Sequence, residues 1–464
     1  MLQVPRLVIS AVRGGLGKTT LSIGVIAAWR KQGRRIAAFK KGPDFIDAGW
    51  LGAASGGPCY NLDLFLMDEG SSIRSFAEHA KAADAAVIEG NRGLYDGVDG
   101  SGTYSTARLA RALGAPVVLI VDCTKSSSTV AAVVLGCRQF DPAADLRGVI
   151  LNNVSPGRHE TVVRQAIEQS SGIPVVGAVP RLRHGEFPER HMGLTPFQEH
   201  PDVDRAVSAA AAVAGSYLDL EALWKMAADA APLADAPHAA PASTIVDRPT
   251  IGVIRDRAFQ FYYPDNLEAL EQEGAVVRVI NALEDRELPE IDALYIGGGF
   301  PETQAAELAA NRSFCRSLKA AAENGLPIYA ECGGLIYLGR NLRVGAASHA
   351  MTSVLPADFV LEKRPQAHGY TVVEVNGDNP FFEKGTTLRG HEFHYSRVEN
   401  LRDLSGMAFT MRRGHGIDGS ADGLTYRNVL GTYTHLHALG SPQWARGLVR
   451  KAREHRMDRT REAS

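Results

Sequence analysis

Short runs of apolar residues recur along the first half of the chain, at Arg6–Ala11, Arg35–Phe39, Ala85–Glu89, Pro116–Asp122, Leu146–Asn153 and Val175–Pro180. Each is apolar almost throughout and does not alternate, as expected of a strand covered on both faces in a parallel sheet. Segments with helical periodicity lie between them, Thr19–Lys31 and Ser128–Gln139 most clearly. Alternating strands and helices predict a doubly wound parallel sheet of the α/β class. The stretch Ala227–Arg248 is rich in alanine and proline and loses all periodicity, which reads as a linker. The rhythm restarts with Thr250–Arg255, a helix near Asn266–Glu273, Ala275–Ile280, Ala293–Gly297 and a helix reaching Asn324. Farther on the pattern turns β-rich, at His368–Val375, Gly390–Ser396 and Val429–His437. The predicted organisation is a first α/β domain over 1–230, a linker over 231–248, a second α/β domain over 249–442, and a C-terminal helix and tail over 443–464.

Composition narrows the function classes. The 464 residues are too many for one ordinary core. Hydrophobic content of 45% with 22% charged residues is that of a globular protein. A formal net charge of -2 gives no bulk electrostatic case for nucleic acid or for an anionic membrane surface. Five cysteines without a CxxC pair argue against a disulfide framework or a structural zinc site and fit a reducing cytosol. The first strand begins by Leu7, which leaves no room for a signal peptide, and no apolar run approaches the roughly 18 residues of a membrane span. A cytoplasmic protein is expected. The sequence fixes no oligomeric state and admits a homodimer.

The first candidate chemistry follows the first strand. Arg13-Gly-Gly-Leu-Gly-Lys-Thr-Thr20 leads from that strand into a helix, the context of a phosphate-binding loop. Gly14, Gly15 and Gly17 let backbone N–H groups face phosphates, Lys18 reaches the β and γ oxygens, Thr19 suits Mg²⁺, and Thr20 completes the ATP-binding set. The usual glycine five residues before Gly17 is replaced by Val12, so the loop resembles the deviant type with Arg13 at its signature lysine. Lys40, Lys41, Asp44 and Asp47 follow the second strand and suit a phosphate and Mg²⁺ site, although Gly42-Pro43 is turn chemistry in its own right. Glu89 ends a buried strand where a P-loop ATPase keeps its Mg²⁺-linked carboxylate. Asn91, Arg92, Tyr95 and Asp96 then lie on a glycine-rich loop where they are expected to touch substrate. Asn152, at a strand end, is a candidate reader of the adenine edge, or else a turn former.

The second candidate chemistry is Pro327-Ile-Tyr-Ala-Glu-Cys-Gly-Gly-Leu335, a buried strand that stops at Cys332 and turns into a helix. Open α/β sheets place ligands at such strand ends. The helix N-terminus and the Gly333 and Gly334 amides would favour a thiolate and an oxyanion. A thiol nucleophile needs a base, and His435 at the end of its own strand is the best placed, with His391 and His394 as competitors. The His-x-x-His spacing of that pair does not suit a metal, because residues three apart on a strand point to opposite faces.

Taken together, the P-loop, FKKGPDFID (39–47), the EG-x-x-GLYDG run (89–97), FQFYYPDNLEAL (259–270), GGGFPE (297–302), ECGGLIYL (331–338), GHEFHYS (390–396) and GTYTHLH (431–437) resemble the cobyrinic acid a,c-diamide synthase family nearly end to end. The resemblance implies a P-loop, dethiobiotin-synthetase-like domain followed by a class I glutamine amidotransferase domain. It implies ATP- and Mg²⁺-dependent phosphorylation of a tetrapyrrole carboxylate, and glutamine hydrolysis through a cysteinyl thioester to supply ammonia. By the same resemblance Cys332 is the nucleophile and His435 its activator. Gly298, Gly299, Phe300 and Gly333 form the oxyanion and glutamine-binding region; Asp44 and Glu89, with Thr19, are the Mg²⁺ ligands. Tyr262, Tyr263 and Asn266 lie near the substrate or the domain junction.

Two departures stand out. Triad glutaminases usually carry a glutamate two residues after the histidine; His437 occupies that position, so a dyad oriented by another group, Glu392 for example, is expected. The family usually has Val-Met where this chain has Asn91-Arg92, which should alter the choice of acceptor. Related proteins amidate sirohaem or nickel sirohydrochlorin, and amidation of sirohaem or a sirohydrochlorin derivative stays open as an alternative to cobyrinate. A cobyric acid synthase and a P-loop switch ATPase are weaker alternatives.

Overall fold

A computed structural model of the chain describes residues 3–182, 189–190, 193–233, 248–401 and 406–462. Most of the expected linker, 234–247, lies outside the described residues. Clustering of contacts divides the chain into two compact units: Met1–Leu64 with Asp68–His238, and Phe65–Met67 with Ala239–Ser464. Phe65–Met67 belongs to the second unit, where the Phe65 ring stacks on Tyr370 with centroids 4.3 Å apart.

In chain order the first unit contains β1 (Arg6–Ala11), α1 (Lys18–Lys31), β2 (Ile36–Lys41), α2 (Phe45–Ser55), β3 (Cys59–Leu62), α3 (Glu69–Ala80), β4 (Ala85–Glu89), α4 (Thr106–Ala112), β5 (Val117–Asp122), α5 (Ser128–Phe140), β6 (Leu146–Asn152), α6 (Arg158–Ser171), β7 (Val175–Val179), the short pair β8 (Glu189–Arg190) and β9 (Gly193–Leu194), α7 (Val203–Tyr217) and α8 (Leu220–Ala228). Seven strands form one sheet in the order β3-β2-β4-β1-β5-β6-β7, every neighbouring pair parallel. This is the doubly wound sheet read from the apolar runs. β2 continues past Phe39 to Lys41, so both lysines sit at a strand end and not in a loop. β3 is short and contains Asn61, and its pattern does not announce it.

The second unit contains β10 (Thr250–Ile254), β11 (Phe259–Phe261), α9 (Pro264–Gln272), β12 (Val276–Ile280), β13 (Ala293–Ile296), β14 (Gly298–Gly299), α10 (Ala305–Ala310), α11 (Arg312–Glu323), β15 (Ile328–Glu331), α12 (Gly333–Leu338), β16 (Asn341–Val344), β17 (Ala347–Ala350), β18 (Asp358–Leu361), β19 (Ala367–Val375), β20 (Thr387–His394), β21 (Ser396–Glu399), β22 (Met407–Arg413), β23 (Ala421–Tyr426), β24 (Val429–Thr432), β25 (His435–Leu436) and α13 (Pro442–Glu462). Its main sheet runs β12-β10-β13-β15-β24-β23-β22-β19-β20-β25. The five strands from β12 to β24 are parallel and the remainder antiparallel. Only Tyr433 and Thr434 join β24 to β25, although four strands separate the two in the sheet. A two-residue link spans about 11 Å at most, so the antiparallel arm curls back on itself. That curl pairs His391 of β20 with His435 of β25.

Helix α1 lies close against α7 through small residues. A Cβ at Gly24 would stand 2.5 Å from the Ala210 carbonyl oxygen and 3.0 Å from Ala214 Cβ. Gly24→Val is expected to lower stability by about 1–3 kcal/mol through overpacking. The denaturant midpoint of the variant against the parent checks this.

Candidate active sites of the two units

In the first unit the chemistry gathers at the carboxyl ends of β1, β2 and β4, at the switch point of the sheet. Gly15 and Gly17 adopt positive φ, 70° and 74°, which turns the loop into α1. Lys18, at the start of α1, donates to the Arg13 carbonyl at 3.3 Å. Thr19 Oγ1 donates to Glu89 Oε1 at 2.8 Å, and Lys40 Nζ donates to the same oxygen at 2.7 Å and to Asp47 Oδ2 at 2.6 Å. Glu89 Oε2 is buried without a hydrogen-bond partner among the described residues. Burial, only partly offset by Lys40, pushes the Glu89 carboxyl up to about 7. Burial and then Asp47 push Asp44 up to about 6. Burial alone would lower Lys40, but Asp47, Glu89 and Asp44 outweigh it and hold its ammonium above the ordinary lysine value. Lys18 is lowered by burial and then by Lys40.

This arrangement fits a magnesium ion. The orphaned Glu89 oxygen and the Thr19 hydroxyl offer hard oxygen ligands, and Mg²⁺ typically takes one or two carboxylates plus substrate phosphates rather than an all-protein cage. Among the described residues no group of three or more His, Cys, Asp or Glu side chains is arranged to hold a metal, as such a shared site allows. The two acids differ in their surroundings. Asp44 caps α2, its Oδ1 accepting from the Asp47 N–H at 2.8 Å, whereas Glu89 lies beside Thr19.

Other residues read as substrate contacts have structural partners. Tyr95 donates its hydroxyl to the Cys137 carbonyl at 2.6 Å, and Asp96 Oδ2 accepts from the Gly93 N–H at 2.8 Å, so neither is simply presented on an open loop. Asn152, a candidate for the adenine edge or for a turn, donates its amide nitrogen to Leu16 O at 3.1 Å and accepts through its oxygen from the Asn153 N–H at 3.0 Å, which braces the phosphate loop. Asn91 lies over Gly42, whose added Cβ would meet Asn91 Nδ2 at 2.6 Å, and Arg92 is exposed with φ 50°.

In the second unit β15 ends in a strained elbow. Cys332 has φ 46°, uncommon for a residue with a side chain, and its N–H donates to Thr432 O at 2.7 Å. Gly333 and Gly334 open α12, and Gly334 N–H donates to Gly297 O at 3.1 Å. β14, paired with β11, packs against both the start of α12 and His435. A Cβ on Gly333 would stand 3.0 Å from Gly299 N, and one on Gly298 would stand 2.4 Å from His435 Cε1. Gly299 has no room for a side chain either, its Cβ position being 2.0 Å from Ala258 O. Phe300 is buried edge-on to Phe261, with centroids 5.1 Å apart. Cys332 is buried, and burial followed by the Glu302 carboxylate raises its thiol well above the ordinary value, against a smaller opposing pull from the Gly333 amide. The helix N-terminus therefore does not by itself produce the thiolate expected from the sequence, and a base has to take the proton.

His435 and the acid expected to orient it, Glu392, have different neighbours. Glu392 accepts from the His415 and Gly416 amides at 2.6 and 2.8 Å and lies 3.8 Å from His394, so it is committed elsewhere. The acid beside His435 is Glu331, with Oε2 3.5 Å from His435 Nδ1. His437 Nε2 lies 3.5 Å from Asp265 Oδ2. His391 stacks on His435 with centroids 4.8 Å apart and is driven well below the usual histidine value by burial and then by His435. His394 stacks on Tyr433.

Tyr262, Tyr263 and Asn266 were expected near the substrate or a domain junction. All three are buried within this unit. Tyr262 takes the Gly297 N–H at 2.8 Å, Tyr263 contacts His391 Nδ1 at 3.2 Å, and Asn266 brackets β25 through Leu436 O at 2.9 Å and Ala438 N at 2.7 Å. Asp422 went unnoticed in the sequence. Its buried carboxylate accepts from Thr432 Oγ1, Tyr433 N, Thr434 N and Thr434 Oγ1, and so shapes the turn that leads to His435. No local pattern marks that acid.

Comparison with known proteins identifies the class first. Residues 7–194 match the CobQ/CobB/MinD/ParA nucleotide binding domain, and residues 250–443 match the CobB/CobQ-like glutamine amidotransferase domain. A nucleotide-binding unit joined to a glutaminase unit defines a glutamine-dependent amidating ligase. The chain is 42% identical over 457 residues to the cobyrinate a,c-diamide synthase of Magnetococcus marinus, covering 97% of this chain and 98% of that protein. It is 38% identical over 452 residues to that of Archaeoglobus fulgidus, with the same coverage of 97% and 98%. The chain belongs to the cobyrinate a,c-diamide synthase family. No helix among the described residues is long and apolar enough to cross a membrane.

The raised Glu89 value carries a sign. Protonated Glu89 favours the folded chain below the ordinary value of 4.5, and that contribution is lost as pH rises through about 7. Glu89→Gln cannot ionise, so its stability relative to the parent should increase steadily between those two pH values. Denaturation midpoints of both proteins across that range provide the measurement, and a constant difference would contradict the buried, raised carboxyl.

Proposed function

We propose that the protein amidates the a and c acetate carboxylates of cobyrinate, using ATP and glutamine. The observation that carries this reading is near-complete coverage of synthases bearing that name. It is supported by a nucleophile elbow in one unit and a phosphate loop with buried Glu89 in the other.

In the first unit a substrate carboxylate oxygen attacks the γ-phosphorus of ATP, and ADP leaves. Lys18 and the loop amides orient the phosphates and stabilise the charge on the transferred group. Mg²⁺, held by Thr19 and Glu89, would supply further neutralisation of phosphate charge. Lys40 keeps Glu89 and Asp47 fixed beside it.

In the second unit the Cys332 sulfur attacks the glutamine carboxamide carbon. His435 takes the thiol proton and returns it to the departing ammonia. The Gly299 and Gly333 amides serve the developing oxyanion, and water then cleaves the thioester to glutamate. Ammonia displaces phosphate from the acyl phosphate. Keeping it from bulk water preserves its unprotonated, nucleophilic form.

Incubation with ATP, Mg²⁺ and glutamine against cobyrinate, hydrogenobyrinate, sirohydrochlorin and sirohaem tests the acceptor. Mass spectrometry should find two acid-to-amide conversions on cobyrinate. Conversion of sirohaem alone would overturn the assignment and point to Asn91-Arg92 as the cause. Cys332→Ser should abolish glutamine-driven amidation and spare ammonia-driven amidation. Lys18→Ala should lower both by about 10²- to 10³-fold, and undiminished synthesis would refute its assignment.

A further inference from the structure

We propose that Glu331, the residue immediately before the nucleophile, is the positioning acid for His435, in place of the acid that triad glutaminases carry two residues after their histidine. The proposal rests on the glutaminase reading of Cys332 and His435.

The geometry supplies each requirement. Glu331 is the last residue of β15 and only 1% exposed. Its Oε2 lies 3.5 Å from His435 Nδ1 and accepts from the Tyr295 hydroxyl at 3.0 Å. Its other oxygen, Oε1, accepts from the Leu436 N–H at 3.0 Å. The carboxylate is thus pinned from two sides, by a neighbouring strand of the sheet and by the residue that follows the histidine itself. A buried carboxylate held so rigidly selects the tautomer with a proton on Nδ1, which leaves Nε2 free to accept the thiol proton. It also stabilises the imidazolium formed when that proton arrives.

The position two residues after His435 is unsuited to the task. His437 is neutral or cationic, and its Nε2 faces Asp265 at 3.5 Å. Glu392 is engaged by two backbone amides and faces His394. His391 of β20 stacks on the His435 ring, and Gly298 packs against its edge. His368 and His437 act on His391 in turn. None of these histidines supplies negative charge, whereas the Glu331 carboxylate beside Nδ1 does.

Placing acid and nucleophile on consecutive residues has a geometric consequence. Successive strand side chains point to opposite faces. Glu331 is buried at the end of β15 with Leu436 of β25 donating to it, and Cys332 turns out of the strand at the elbow. Pairing of Glu331 with Thr432 across β15 and β24 carries both groups to the same end of the sheet as His435.

Glu331→Gln keeps the size and the acceptor for Leu436 but removes the charge. Expected results are a fall of about 10²- to 10⁴-fold in glutaminase kcat, little change in KM for glutamine, and ammonia-driven amidation retained. The acid limb of the kcat/KM profile should move to lower pH, because the imidazolium loses its counter-charge. Glu331→Asp should recover part of the rate. Glutaminase within about threefold of the parent and an unmoved acid limb would overturn the proposal. If Glu331→Gln also loses ammonia-driven amidation, Tyr295→Phe decides. It removes one donor from the carboxylate without touching His435 and should move the acid limb to higher pH, while an unmoved limb overturns the proposal. Cys332→Ser separates the two readings. Glutamine-driven activity surviving in that variant would remove the glutaminase assignment itself, whereas its loss alongside normal Glu331→Gln activity would remove only the role given to Glu331.

Discussion

The register between β15 and β24 is the constraint on which the second unit depends. The Cys332 N–H reaches Thr432 O at the last rung of that ladder, where the chain turns to φ 46°. Beyond the rung, Thr432–Thr434 wraps around the buried Asp422 carboxylate and delivers His435. Because strand side chains alternate, a slip of one residue would exchange the faces of Glu331 and its neighbours and separate thiol, base and acid together. The hydrogen bonds to Asp422 and the crowding at Gly298, Gly299, Gly333 and Gly334 leave the elbow little freedom to slip.

The first unit is organised by a different constraint, the placing of charge where water is scarce. Lys40 is 1% exposed and lies between Asp47 and Glu89. A buried ammonium without those partners would be costly, and so would either carboxylate without the lysine. Lys18 and Lys40 face several acids, Asp47 and Glu89 in common. Carboxylate oxygens in that setting suit a divalent cation shared with phosphate oxygens. The same burial that raises Glu89 keeps the site poor in water, which strengthens each charge interaction within it.

Much of this was legible in the residues. The apolar runs marked nearly every strand of the parallel sheet, because burial on both faces leaves no polar position in the strand to confuse the reading. The Cys332 elbow was legible because a strand, a thiol and two glycines leave few conformations open. Asp44 was harder. A helix cap and a metal ligand can draw on the same carboxylate, and only the structure shows the cap, with the Asp47 N–H at 2.8 Å from Oδ1. Asn152 posed a similar difficulty, since an amide at a strand end serves a base edge or a neighbouring loop equally well until the loop is seen beside it. Tyr262, Tyr263 and Asn266 are placed near the substrate or a domain junction by the family resemblance alone; within their own unit they brace Gly297, His391 and β25.

By itself the sequence determined the class of fold, the family and the identity of the two chemical centres, since these reside in local patterns: periodicity, glycine spacing and the residue types that phosphate and thiol chemistry require. Tertiary structure decided which acid lies beside which histidine. Along the chain Glu392 is the acid that suggests itself for His435, yet it is Glu331 that lies 3.5 Å from the ring, because the antiparallel arm of the sheet curls and returns β25 to the end of β15. Pairings between strands far apart in sequence carry no local signature, so the residue before Cys332 was visible from the outset while its partner was not.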